Sequence, residues 1–106
     1  MFFLMQCHHH PGRDADRDRL RPLHRDWVAG GGGVASVLIG SAMWAEDGTA
    51  IGHWGVIEAT TPHAARAFAE GDPFYAGGVV ATVSMTRLAD GFQAHRISDR
   101  MTKEGV

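Results

Sequence analysis

The sequence predicts an α+β domain in which a four-stranded antiparallel sheet carries two helices on one face. Segments with strand or helix periodicity follow one another in the order strand, helix, strand, strand, helix, strand. Two right-handed strand-helix-strand crossovers that share one sheet give the split βαβ arrangement. The chain has 106 residues, 44% of them hydrophobic and 21% charged, which is enough for one core and one domain.

The first predicted element is a strand over residues 2–7, an apolar run that stops at three histidines and a Pro-Gly turn pair. Because neighbouring side chains of a strand point to opposite faces, Phe3 and Met5 share one face while Phe2 and Leu4 share the other. Both faces are apolar, so we expect both faces of this strand to be covered.

The helix that follows carries a histidine on its buried side. Asp14 or Asp16 is predicted to cap a first turn, and Pro22 is predicted to restart or kink the helix. Four apolar residues recur at helical spacing around His24: Leu20, Leu23, Trp27 and Val28. We therefore expect the imidazole of His24 to point inward. Four glycines at residues 30–33 end the helix.

The next two elements form a predicted hairpin. Strands over residues 34–43 and 51–59 flank the turn residues 46–48, so we expect the two strands to pair antiparallel. Gly40 lies inside the first of these strands, where a glycine indicates a bulge or a close approach of another backbone segment.

A second helix and a last strand complete the order. Thr61 followed by proline is typical of a helix N-cap, and the buried stripe of this helix contains Ala65, Phe68 and Ala69. Gly71 closes the helix, and residues 72–74 form a tight connection. The strand over residues 79–86 is predicted to place four side chains on one face: Val79, Ala81, Val83 and Met85.

The domain is predicted to span residues 1–87. Residues 88–106 form a polar C-terminal extension that is partly ordered or packs on a partner subunit. The two helices can cover one face of the sheet, but no third helix is available for the other face. We therefore expect a homodimer that buries the second face, with residues 88–101 reaching across to the partner.

Composition and charge exclude several classes of function. Twelve acidic against ten basic side chains give a formal net charge of -2, so no binding to nucleic acid is expected. The apolar residues 1–5 are too few for a membrane span and lack the basic region of a signal peptide, so no membrane association is expected. Cys7, the only cysteine, cannot form an intramolecular disulfide, and the cytoplasm is the expected compartment.

His24 and Asp72 are the candidate residues for acid-base chemistry. Imidazole is the side chain that titrates near neutral pH, which suits a general base, and the alternative is a core histidine satisfied by backbone groups. Asp72 lies between a helix end and Pro73, where the backbone gives its carboxylate a fixed direction. The alternative for Asp72 is an aspartate that only forms a turn.

No metal and no organic cofactor are predicted. Residues 7–10 hold one thiol and three imidazoles, but in a strand Cys7 shares a face with His9 alone, while the other two histidines share the opposite face. The segment therefore offers two half-sites rather than one complete metal site. The glycines at residues 30–33 end a helix and lack the lysine and hydroxyl of a phosphate-binding loop, so no nucleotide site is expected.

Two stretches of the chain are similar to those of a known family: Leu20-Arg21-Pro22-Leu23-His24 and Gly71-Asp72-Pro73-Phe74. They resemble the signature stretches of the YCII-like family, and the likeness spans residues 2–87. The resemblance implies a ferredoxin-like fold of the dimeric α/β-barrel type. It also implies a homodimer that associates through its sheets, and an active centre made of His24 and Asp72.

The resemblance further implies small-molecule chemistry without a cofactor, since relatives eliminate halide from a chlorinated hydroxyhydroquinone. His24 and Asp72 would act as a general acid-base dyad of a lyase or isomerase. The substrate would be a hydroxylated aromatic, quinone-type or enolisable carbonyl compound. Candidate substrate-binding residues are Arg21, Gly40, Ser41, Pro73, Phe74 and His9. The alternative function is a non-catalytic dimeric module that binds or senses a small molecule.

Overall fold

The four strands and the two predicted helices follow the predicted order in a computed structural model that describes residues 1–103, and a short third helix takes the place of the tight connection predicted at residues 72–74. The strands and helices are β1 (Phe2–His9), α1 (Asp14–Gly30), β2 (Ser36–Trp44), β3 (Ala50–Glu58), α2 (Pro62–Gly71), α3 (Pro73–Ala76) and β4 (Val80–Arg87). Short 3-10 turns occur at Gly31–Gly33 and Ala94–Arg96. The strand order is β2-β3-β1-β4 with antiparallel neighbours, which confirms the α+β, ferredoxin-like fold.

Helix α1 is longer than predicted and continues through Pro22. It begins at Asp14, and its N-cap residue is Arg13, whose side chain makes no capping hydrogen bond. The prediction that Asp14 or Asp16 caps the helix and that Pro22 restarts it is therefore wrong. Ion pairs between residues three apart support the turns before Pro22: Arg17 with Asp14, Arg19 with Asp16, and Arg21 with Asp18.

The helix-facing side of the sheet holds the main core. Phe3, Met5 and Cys7 of β1 pack there against the helices. Each helix contributes a buried side chain, and the principal ones are Leu20, Phe68 and Phe74. Leu23, which was predicted to belong to the buried stripe of α1, is exposed because it lies to the side of the line through Leu20 and His24.

Helix α2 begins as predicted, since the Thr61 side chain accepts a hydrogen bond from the Ala64 N–H at 3.0 Å. The last strand departs from the predicted alternation. A register shift between His8 and His9 leaves Val79 and Val80 both buried, whereas Ala81 is exposed. A bulge of this kind interrupts the period of two, which is why the predicted face of four side chains is only partly formed.

The second face of the sheet is partly covered by the chain's own C-terminal segment. Leu38 and Val56 are buried there beneath residues from that segment: Leu88, Phe92, Ala94 and Ile97. No third helix covers this face, but the chain's own C-terminal segment covers part of it, where the sequence predicted a second subunit. Sequence patterning missed the cover because residues 88–100 form no long helix or strand.

Residues 101–103, here called the C-terminal strap, fasten this segment to the edge of the sheet. The Met101 and Thr102 N–H groups donate to the Leu38 and Val37 carbonyls at 3.3 and 3.0 Å. The Lys103 N–H donates to the Ala29 carbonyl of α1 at 3.0 Å. The predicted extension ends in residues 104–106, which lie outside the described part of the chain.

Helix α1 approaches α2 closely through Trp27. Its indole N–H donates to the Phe68 carbonyl at 3.1 Å. A side-chain carbon at Gly71 would lie 2.6 Å from the indole ring, so glycine is required for this contact. The contact places the end of α2, and with it the next residue Asp72, beside α1.

Within residues 1–103, no helix combines the length and apolar character needed to cross a membrane.

Candidate active site

The candidate site is centred on a hydrogen bond between α1 and the start of α3. The Nδ1–H of His24 donates to the Asp72 carboxylate, at 2.7 Å from Oδ2 and 2.9 Å from Oδ1. Asp72 is 1% exposed, so water competes little for this bond. The bond leaves Nε2 of His24 without a protein partner in the described part of the chain, which makes Nε2 the atom available to a ligand.

The sequence Asp72-Pro73-Phe74 explains how the carboxylate is held. Asp72 caps α3 by accepting the Phe74 N–H at 2.9 Å, and Pro73 occupies the first turn, where a missing N–H costs no hydrogen bond. The Phe74 ring then stacks on the imidazole of His24, with centroids 4.1 Å apart and planes 10° apart. Helix α3 therefore fixes both the position of the Asp72 carboxylate and the orientation of the His24 ring.

Two further histidines lie beside this pair. His9, at the end of β1, and His53, in β3, share a 2.8 Å hydrogen bond between Nε2 and Nδ1. Nε2 of His53 lies 3.8 Å from Oδ2 of Asp72. The carboxylate favours a proton on that Nε2, which makes Nδ1 the acceptor and His9 the donor.

Burial keeps this second pair of histidines neutral. It lowers the pKa of His53 from 6.5 to about 3. Burial, and then the nearby charge of Arg17, lowers the pKa of His9 to about 4. At neutral pH neither His9 nor His53 carries a positive charge. The buried carboxylate of Asp72 is therefore hydrogen-bonded to the imidazole of His24 and has these two neutral imidazoles nearby.

A cavity of about 740 Å³ opens beside these side chains. Its walls include the three histidines, Asp72 and Phe74, together with apolar side chains from the sheet and α1 such as Met5 and Val28. Basic side chains of α1 also line it: Arg17, Arg21 and Arg25. A pocket of this size with a few convergent polar groups is typical of a small-molecule site.

The structure brings most of the predicted site residues to this cavity. His24, Asp72, His9 and Phe74 form its polar end, and Arg21, Gly40 and Ser41 line its wall. Arg21 is bonded to Asp18 at 2.8 Å, and the Ser41 hydroxyl donates to the Ala42 carbonyl. Gly40 permits a close approach to the Trp54 carbonyl that a side chain would block. Pro73 does not line the cavity, and its contribution is to begin α3, which holds Asp72 and Phe74 in place.

Comparison with known proteins agrees with this architecture. The sequence model described as the YCII-related domain matches residues 1–89. The chain belongs to the YCII-related family. Among curated protein sequences, none matches it.

A solved structure supports the fold of this YCII-related chain. It is 5-chloro-2-hydroxyhydroquinone dehydrochlorinase (TftG) from Burkholderia phenoliruptrix AC1100, in complex with 2,5-dihydroxybenzoquinone. The two chains superpose with a TM-score of 0.73 at 22% sequence identity, over 86% of this chain and 96% of the other.

Sequence reasoning missed two residues of the site in this YCII-related domain. His53 is in phase with Ile57 along β3, so strand alternation could have placed it on the helix-facing side. Arg17 lies seven residues before His24, which is two turns along the same side of a helix. That signal was hidden because the helix was expected to restart at Pro22.

Three potential metal ligands lie within 4.8 Å of one another: His24, His53 and Asp72. In this arrangement His24 Nδ1 and Asp72 Oδ2 are 2.7 Å apart, whereas two ligands of a tetrahedral zinc ion are about 3.3 Å apart. The 2.7 Å spacing fits a shared proton, so an ion could bind only if the pair opened. Cys7 lies outside this group, and burial raises the pKa of its thiol to about 12, which disfavours the thiolate form that binds metals.

Proposed function

We propose that this chain is a cofactor-independent small-molecule enzyme, a lyase or isomerase, in which His24 transfers protons. The observation that carries the proposal is the 2.7 Å bond between His24 and the buried Asp72 at the wall of a cavity. Asp72 holds the proton on Nδ1, so the lone pair of Nε2 faces a ligand as a base. The carboxylate also offsets the positive charge that His24 acquires.

The proposed substrates are hydroxylated aromatic, quinone-type or enolisable carbonyl compounds. On a chlorinated hydroxyhydroquinone, one hydroxyl proton first moves to the ring carbon that bears chlorine, and that hydroxyl becomes a carbonyl. His24 then removes the proton of a second hydroxyl. The O–H electron pair forms the second carbonyl, the ring double bonds shift, and chloride leaves with the C–Cl pair. The net loss is HCl, so no oxidant is needed.

The neighbour TftG supports this substrate class, since its name states a dehydrochlorinase of a hydroxyhydroquinone and its structure holds a dihydroxyquinone. The identity of 22% makes the likeness one of fold, so the activity needs a direct test. The cavity of about 740 Å³ is large enough for a single aromatic ring with several oxygens.

The test is an assay of the purified protein with 5-chloro-2-hydroxyhydroquinone, read by chloride release and by quinone absorbance. We expect His24→Ala and Asp72→Asn to lower the rate about 10²- to 10⁴-fold, because each removes the positioned base or its correct tautomer. His63→Ala is the matched control, since His63 is an exposed histidine on α2. It should retain the wild-type rate.

Two outcomes would contradict the proposal. Turnover that is unchanged in His24→Ala would remove His24 from the chemistry. Tight binding of the quinone without turnover by the wild-type protein would favour the alternative, a module that binds or senses a small molecule.

We also propose that the protein works as a homodimer in the cytoplasm. The C-terminal segment covers only part of the second sheet face, and Ile39 of β2, which pairs with Val56 on that face, remains 44% exposed. A second copy of the chain is the proposed cover of this remaining patch. The cytoplasm is proposed from the single, unpaired Cys7.

A further inference from the structure

Helix α1 directs basic side chains into the cavity on the same side as His24. Arg17 and Arg21 precede His24 by seven and three residues, and all three line the cavity. Arg17 is the more enclosed of the two arginines, with its side chain 16% exposed against 37% for Arg21. Arg17 and His9 line the same cavity, and after burial the charge of Arg17 is the next cause that lowers the pKa of His9.

Within residues 1–103, the positive charge of Arg17 is not matched by a buried negative charge. Among these residues, two carboxylates line the cavity, those of Asp14 and Asp72. Asp72 already accepts hydrogen bonds from His24 and from the Phe74 N–H. Asp14 contacts Arg17 at 3.1 Å, but its side chain is 77% exposed, and an ion pair screened by water is weak and easily exchanged.

The neighbouring imidazoles do not change the net charge around Arg17. His9 and His53 are neutral at neutral pH, so they neither add to it nor cancel it. A partly enclosed guanidinium at the wall of an apolar cavity favours a ligand that brings a negative charge, because Coulomb attraction is stronger where water is scarce.

We propose that the cavity binds its ligand as an anion, an ionised hydroxyquinone or enolate whose charged oxygen is held by Arg17. This inference rests on the proposed function and names the ionisation state of its substrate. Arg17 would then set specificity and orientation, while His24 faces a hydroxyl of the same ring. The planar fork of a guanidinium suits the two neighbouring oxygens of an ionised hydroxyquinone.

The test compares two quinones of similar size that differ in charge. 2,5-Dihydroxybenzoquinone is an anion at neutral pH, and 2,5-dimethoxybenzoquinone cannot ionise. Binding is followed by quenching of tryptophan fluorescence, because Trp44 and Trp54 line the cavity. We expect Arg17→Met to weaken binding of the anion about 10- to 100-fold, the usual loss for a hydrogen bond to a charged group, and to change binding of the neutral quinone less than about threefold.

Two further variants separate charge from local structure. Arg19→Met removes the same charge from the same helix, but Arg19 is 66% exposed and outside the cavity, so binding of both quinones should match the wild type. Arg17→Lys keeps the charge without the fork and should recover part of the affinity for the anion. Circular dichroism of each variant checks that the fold is retained.

The inference is overturned if Arg17→Met binds the anion as tightly as the wild type, if it weakens both quinones equally, or if the wild-type protein binds neither quinone. These results are distinct from failure of the proposed function. A wild-type protein that binds the anion through Arg17 but shows no turnover would leave the anion site standing and refute the catalytic role of His24.

Discussion

The burial of His53 predicts that this fold loses stability in acid. In the unfolded chain the imidazole takes up a proton near pH 6.5, whereas in the folded protein its pKa is lowered to about 3. Between these values the unfolded state binds more protons, so stability is fully present above about pH 6.5 and falls as the pH falls towards about 3. At about pH 4 the linkage relation gives a loss of about 3 kcal/mol from His53 alone.

His9 acts in the same direction, since its pKa is lowered to about 4. It is only partly buried, so solvent screening leaves it a smaller share. A loss of about 3 kcal/mol is a large fraction of the 5 to 15 kcal/mol that roughly spans the stability of small domains. The effect should therefore be measurable well before the protein unfolds completely.

The assay is urea unfolding followed by circular dichroism at a series of pH values between about 7 and 4. His53→Gln keeps an amide near the position of the imidazole Nε2 but cannot titrate. We expect the variant to be less stable than the wild type at neutral pH and to lose less stability on acidification, by about 2 to 3 kcal/mol. A wild-type free energy of unfolding that is constant over this range would refute the reasoning. So would a variant whose pH dependence matches that of the wild type.

Three other predictions concern the thiol, the metal content and the oligomeric state. Cys7 should resist thiol reagents at about pH 8 until the protein is unfolded, and the fold should lose stability above about pH 9, because burial raises the thiol pKa from 9.0 to about 12. Protein purified without a metal-affinity column should contain no stoichiometric zinc or nickel by elemental analysis, and an equivalent of either ion would contradict the prediction of a metal-free protein. Light scattering at micromolar concentration should give the mass of a dimer, and Ile39→Glu should shift it towards the monomer by placing a charge on the exposed part of the second sheet face. A monomeric wild-type protein would contradict the homodimer.

The sheet and its helices were predictable because each element has its own local signal. The apolar run of β1, the N-cap Thr61 and the turn before Thr49 all act within a few residues of the chain. His24 and Asp72 could be selected as candidates in the same way, one from its place on an apolar helical stripe and the other from a constrained turn. The structure places these two side chains in contact.

The rest of the site depends on contacts between distant segments. His53 reaches the cluster because β1 and β3 pair with Cys7 opposite His53, a register that the sequence of either strand leaves open. Arg17 reaches the cavity because α1 continues through Pro22, against the local preference of proline. The bulge that disturbs β4 also arises from pairing, at His8 and His9, rather than from the residues of β4 alone.

The C-terminal strap belongs to the same folding unit as the sheet, so the part of the chain that must fold together is longer than the part that the family model matches. The match ends at residue 89, before Phe92, Ala94 and Ile97, which shield Leu38 and Val56. A recombinant fragment that stopped there would expose these side chains to solvent. It would also leave the backbone N–H and C=O groups at the edge of β2, which now hydrogen-bond to the strap, without partners. An unpaired strand edge can pair with strands of other molecules. Expression trials should therefore keep residues up to at least 103 if soluble material is the aim.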